Sequence, residues 1–144
     1  MKSKFDLPAL MKLYGDNAKD KAYFLDKTTG EILTLNLANP DLNELKKIKE
    51  RIAKEPGRFP QVPKRAAHES YKDMESFISS LKDIKLQKRL SDAIVGQSSF
   101  KCFRDVLEAH PRERQAWNTR RDEIFKKAVR AFLREAGVPA SELP

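Results

Sequence analysis

The chain predicts an α+β fold: a short N-terminal helix and a small antiparallel β-hairpin sheet, followed by a predominantly helical C-terminal half. Three observations carry this. Leu33, Leu35 and Leu37 alternate beyond a turn-forming Asp26-Lys27-Thr28-Thr29-Gly30, which is the period of a half-buried strand. From Tyr71 onward the apolar residues instead recur at three- and four-residue spacing, the period of an amphipathic helix. Prolines and glycines fall between these segments rather than within them.

Taken in order, Asp6 offers an N-cap and Pro8 sits in the first turn of a helix over Leu7 to Tyr14. Leu7, Leu10, Met11 and Tyr14 form its stripe and Gly15 stops it. Tyr23-Phe24-Leu25 and Ile32 to Leu37 are the hairpin arms, with Gly30 supplying the left-handed residue of the turn. Asn39-Pro40 ends the hairpin. Asp41 with Glu44 then resembles a capping box for a second helix, Leu42 to Lys54, with Leu42, Leu45, Ile48 and Ile52 as its stripe and Pro56-Gly57 as its close. The segment Arg58 to Pro63 alternates, but its two prolines lack amide donors, which limits it to an edge strand or an extended connector.

Four helices account for the rest. One carries Tyr71, Met74, Phe77, Ile78 and Leu81, and the next Leu86, Leu90, Ala93 and Ile94. A third carries Phe100, Phe103, Val106 and Leu107, with Ser98 or Ser99 as its cap. The last opens at Pro111, keeps helical periodicity through Leu133 and stops at Gly137-Val138-Pro139. The expected organisation is one domain: residues 1–65 as helix, hairpin, helix and edge strand, 66–137 as the helical part, and 138–144 as a flexible tail.

Composition narrows the chemistry. The 144 residues hold 29 Lys and Arg against 21 Asp and Glu, a formal charge of +8. Hydrophobic residues make up 40%, enough for a modest core, and no apolar run approaches the roughly 18 residues of a membrane span. The N-terminal residues lack the apolar core and cleavage site of a secretory signal, so a cytoplasmic protein is expected. The single cysteine, Cys102, excludes an intramolecular disulfide and any multi-cysteine metal site. Flanked by Phe100 and Phe103, it reads as apolar filler at the edge of a stripe.

His68 and His110 fall on different elements and neither has a histidine four residues away, so no zinc helix is present. His110, before Pro111, reads as a helix-terminus residue, and His68 as lying at the start of a helix. Five glycines scattered singly form no phosphate-cradling loop. The expectation is therefore a protein with no catalytic residues of a familiar kind, no metal and no cofactor.

Charge layout is more informative. From Lys46 to Arg65 eight bases oppose two acids, and from Arg112 to Arg134 eight oppose three. The first run contributes Lys46, Lys47, Lys49 and Arg51 as candidate anion contacts. Winding the last helix at about 100° per residue places Trp117, Ile124, Phe125, Val129 and Leu133 on one side and Arg120, Lys126, Lys127, Arg130 and Arg134 on the other. That outer arc is spaced to follow a phosphate backbone, and it is also what a solvated helix face looks like. Arg114 and Arg121 are expected to point with Trp117 into the apolar side, where each needs a carboxylate or a bound anion.

The ordered set Tyr23-Phe24-Leu25-Asp26, Thr29-Gly30-Glu31, Tyr71-Lys72-Asp73-Met74 with Phe77-Ile78, then Phe100, Phe103, Val106, Leu107 and Trp117 resembles uncharacterised protein family 158. The resemblance runs from about Ala22 to Gly137 and implies a bacterial, cytosolic protein of unassigned activity with no catalytic residues to transfer. This chain departs from the family pattern at Ala66-Ala67, where an Asp-Ser pair would cap the helix that follows.

The reading that results is a small non-enzymatic binding or regulatory module. Its expected partner is nucleic acid or an acidic protein reached through the basic surface, with no membrane association. The alternative is a protein-interaction module that uses the hairpin edge or an apolar helix face.

Overall fold

The computed structural model describes residues 4–16, 20–38 and 41–144. Asn39-Pro40, expected to end the hairpin, lies outside them. The elements are α1 (Leu7–Tyr14), β1 (Lys21–Leu25), β2 (Ile32–Asn36), α2 (Leu42–Lys54), α3 (Ala67–Ser80), α4 (Ile84–Ala93), α5 (Ser99–Glu108) and α6 (Pro111–Glu135), with a 3-10 turn at Ala140–Glu142. A short helix, a hairpin and a mostly helical second half is the architecture the sequence predicts.

The chain divides into two compact units. One takes in the chain up to Arg65 together with Phe125–Pro144, and the other is Ala66–Ile124. The division at residues 65 and 66 falls where the residue pattern changes to helix, but α6 contributes residues to both units.

In the hairpin-containing unit, β1 and β2 pair antiparallel with Tyr23 opposite Thr34 and Leu25 opposite Ile32. The residue after the turn that needs φ > 0 is Gly30, at +84°, as its position demands. Phe59 to Val62 lies along the other edge of β1: Leu25 N–H donates to the Pro60 carbonyl and Val62 N–H to the Tyr23 carbonyl, at 3.0 and 2.8 Å. The expected edge strand is thus a single bridge, Phe24 to Gln61, because the flanking prolines cannot extend the ladder. Phe5, Leu10, Tyr14, Tyr23, Leu25, Leu33, Leu35, Phe59 and Val62 are buried here, as are Phe125, Val129 and Leu133 of α6. Tyr14 meets Phe125 edge to face at 5.2 Å, and its hydroxyl accepts from Arg65 at 3.0 Å. Of the expected tail, Val138 is buried and the Pro144 carbonyl accepts a hydrogen bond from Arg130.

The helical unit packs α3, α4 and α5 around Met74, Phe77, Ile78, Leu86, Leu90, Ile94, Phe103 and Leu107, with Trp117 of α6 partly buried against them. Trp117 makes edge contacts to Phe77 at 5.4 Å and Phe103 at 4.9 Å. Asp83 caps α4 through the Lys85 and Leu86 amides. Two other helices of this unit, α3 and α5, have no side-chain cap. α3 starts after Ala66 with no side-chain cap, as the departure at Ala66-Ala67 foreshadows. Ser98 holds the N-cap position of α5 with a left-handed φ of 59°, not the extended conformation usual for a cap, and its side chain makes no capping bond.

Candidate binding surface

Asp41 starts α2 by accepting from the Asn43 and Glu44 amides at 3.0 and 3.4 Å. The helix presents Lys46, Lys47, Lys49 and Lys54, all exposed, and among the described residues no carboxylate lies within ion-pair distance of any of them. Arg51, grouped with these lysines by sequence, behaves differently. Its guanidinium lies 3.1 Å from Glu31 and 3.6 Å from Asp26, and 5.4 Å from the Phe59 ring. It belongs to the ion cluster around Asp26, although its side chain stays exposed.

The centre of that cluster is Asp26, the one buried charged side chain among the described residues. Arg58 donates to both of its oxygens, and the Thr28 and Thr29 amides add bonds of 2.9 and 3.3 Å. The bonds from Arg58 hold the Asp26 carboxyl far below the usual carboxylate range, although burial alone would push it upward. The same contact, with Glu55 at 2.5 Å, raises the Arg58 guanidinium above its ordinary value. Nearby, the Tyr23 phenol donates to Asp16 at 2.6 Å; that bond, then burial and the Asp16 charge, push its pKa up to about 12. Lys64 donates to the Lys21 carbonyl and lies 5.4 Å from the Tyr23 ring. Half of the bases between Lys46 and Arg65 are therefore structural: Arg51, Arg58, Lys64 and Arg65 are engaged, and the four lysines of α2 are not.

The end of α6 supplies the second group of the same unit. Lys126, Lys127 and Arg134 are exposed without a carboxylate partner among the described residues, whereas Arg130 is half-buried and its Nε donates to the Pro144 carbonyl at 3.2 Å. Arg130 is thus tied to backbone rather than presented to solvent.

In the helical unit the expected positions of the arginines are reversed. Arg114 and Arg121 do not point into the apolar side; both are exposed. Arg120, expected to face out, is half-buried and donates to Ser76 Oγ at 2.6 Å. The half-buried line of α6 here is Glu113, Trp117, Arg120 and Ile124, spaced by four and three residues, and Arg114 and Arg121 each lie one residue beyond a member of it. The Trp117 ring is instead engaged by Phe77 and Phe103.

His110 sits between α5 and α6, with its Nε2 buried and unpartnered, and His68 is exposed in the first turn of α3. Cys102 is half-buried beside Phe103. Among the described residues no group of three His, Cys, Asp or Glu side chains comes together to hold a metal, and no helix is long and apolar enough to cross a membrane.

The fold and charge layout define a small α+β protein that joins a buried arginine–carboxylate cluster to exposed, unpaired lysines. The sequence profile of uncharacterised protein family UPF0158 matches residues 4–140, and the chain belongs to that family. It is 25% identical over 109 residues to a UPF0158 protein of Chlamydia pneumoniae, a match covering 75% of this chain and 33% of that relative. The chain thus matches about a third of the relative's length. No solved structure matches it.

Proposed function

We propose that the protein is a non-enzymatic binding module of the bacterial cytoplasm that engages a polyanion, nucleic acid foremost, through Lys46, Lys47, Lys49 and Lys54 of α2 and Lys126, Lys127 and Arg134 of α6. One observation carries the reading: the bases between Lys46 and Arg65 and at the end of α6 sort into two sets. Arg51, Arg58, Lys64, Arg65 and Arg130 are engaged by carboxylates, carbonyls or a phenol, while the named set stands in solvent without ion pairs among the described residues. Lysines left free in this way can exchange condensed counterions for phosphate contacts, which is the main favourable term in non-specific nucleic-acid binding. The tyrosines and phenylalanines of this unit are buried or half-buried, so base stacking has no platform and the reading is of backbone contact without sequence preference.

Titration of a mixed-sequence single-stranded RNA and a duplex DNA at several salt concentrations tests it. Affinity should fall steeply with salt, with a log–log slope reduced by about 1 for each phosphate contact removed by Lys→Glu substitution. Lys126→Glu with Arg134→Glu should weaken all sequences alike. Absence of binding at low salt, or binding indifferent to salt, would refute it.

A further inference from the structure

Helix α2 turns only part of its apolar stripe to the rest of its unit. No α2 residue is fully buried; Leu45, Ile48 and Ile52 are half-buried, whereas Leu42 is 74% exposed. At about 100° per residue, Leu42, Leu45, Lys46, Lys49 and Ala53 fall within one arc of about 100° that leaves Ile48 outside it. These five residues, with Glu50, line a shallow depression of about 420 Å³. Its floor is leucine and alanine, and its rim carries two lysines that have no carboxylate partner among the described residues.

We propose that this depression is a docking site for an acidic amphipathic segment of a protein partner, which seats apolar side chains against Leu42, Leu45 and Ala53 and sets carboxylates beside Lys46 and Lys49. The occupant follows from charge and shape together. A nucleic-acid strand would satisfy the lysines but leave Leu42 in water, since a phosphate backbone offers it no apolar surface. A purely apolar partner would cover Leu42 while stripping water from Lys46 and Lys49 with nothing in return. A membrane surface is disfavoured because Leu45, Ile48 and Ile52 are already half-covered, which leaves Leu42 as the one large exposed apolar side chain of α2 to insert. A helix with apolar residues at i, i+3, i+4 and i+7 and acids between them meets both demands. The inference goes beyond the polyanion reading, shares Lys46 and Lys49 with it, and does not depend on it.

The test uses the full chain and three labelled synthetic peptides, read by fluorescence anisotropy. The first has Leu at i, i+3, i+4 and i+7 with Glu at the intervening positions; the second scrambles that composition; the third replaces every Glu by Lys. The first should bind at least about tenfold more tightly than either of the others. Leu42→Asp, and separately Lys46→Glu with Lys49→Glu, should each weaken it by about tenfold with the circular dichroism spectrum and thermal midpoint unchanged. Ala53→Glu serves as a second probe of the floor. Leu42→Ser, which adds no charge beside Lys46, should weaken the peptide and leave RNA binding as it was, which separates the apolar floor from the lysines that the two readings share. Equal binding of the scrambled peptide reduces the site to bulk charge and overturns the proposal, and equal binding of the lysine peptide reduces it to bulk hydrophobicity with the same result. Indifference to Leu42→Asp, or Leu42-dependent binding to phosphatidylserine vesicles without peptide binding, overturns it as well.

Discussion

Arg58 grips Asp26 with two parallel bonds, Nε to Oδ1 and Nη2 to Oδ2, each 2.9 Å long, across 32 residues of chain. Asp26 is wholly buried, and it also organises the hairpin turn through the Thr28 and Thr29 amides. One carboxylate therefore fixes both the turn and the segment that follows α2.

Removing one partner of a buried ion pair leaves the other uncompensated, so Asp26→Asn should cost about 3–5 kcal/mol in urea unfolding. Arg58→Lys should also destabilise, because an ammonium cannot reproduce the two-pronged contact. The sign of the pH dependence follows from the lowered Asp26 pKa: the pair's contribution is complete above the unfolded carboxyl pKa of about 4 and is lost as pH falls below it. Asp26→Asn should flatten that acid limb of the stability curve.

Tyr23 sets the opposite limb. Its phenol titrates near 12 when folded and near 10 when unfolded, so the folded state holds the proton more tightly and stability declines as pH rises between those values. Tyr23→Phe should remove this alkaline dependence and cost about 1.5 kcal/mol at neutral pH, from the lost bond to the Asp16 carboxylate. Chemical denaturation across the alkaline range measures both.

Gly30 and Gly57 have similar backbone angles, φ of +84° and +88°, but different surroundings. A methyl group on Gly30 would fall on the carbonyl oxygen of Lys4, whereas one on Gly57 would enter open space. Gly57→Ala should cost only the left-handed conformational penalty, about 1–2 kcal/mol. Gly30→Ala should cost clearly more, because the segment carrying Lys4 and buried Phe5 must move. Equal shifts in thermal midpoint would show that Lys4 yields freely.

Ser98 is the one non-glycine residue with positive φ among the described residues, and its side chain caps nothing. Ser98→Gly should therefore stabilise the protein by about 0.5–1 kcal/mol, an uncommon sign for a helix N-cap substitution. A lowered melting temperature would mean that the hydroxyl has a role its geometry does not show.

Element types and their order follow from the sequence alone because they depend on local physics. The period of apolar residues, the Asp6 and Asp41 caps and the turn glycine each act within a few residues of themselves. The charge runs were equally legible, but which charges stay free was not. Arg51 and Lys46 look alike in sequence, and only the tertiary approach of Asp26 and Glu31 separates them. Arg114, Arg120 and Arg121 depart from the single face that periodicity predicts for the whole of α6, because each unit covers its own line of that helix: Trp117 and Arg120 are half-buried in one, and Phe125, Val129 and Leu133 are buried in the other. Local periodicity states that a helix has an apolar side; the neighbours that cover it select which residues are buried, and that selection arises only when distant parts of the chain meet.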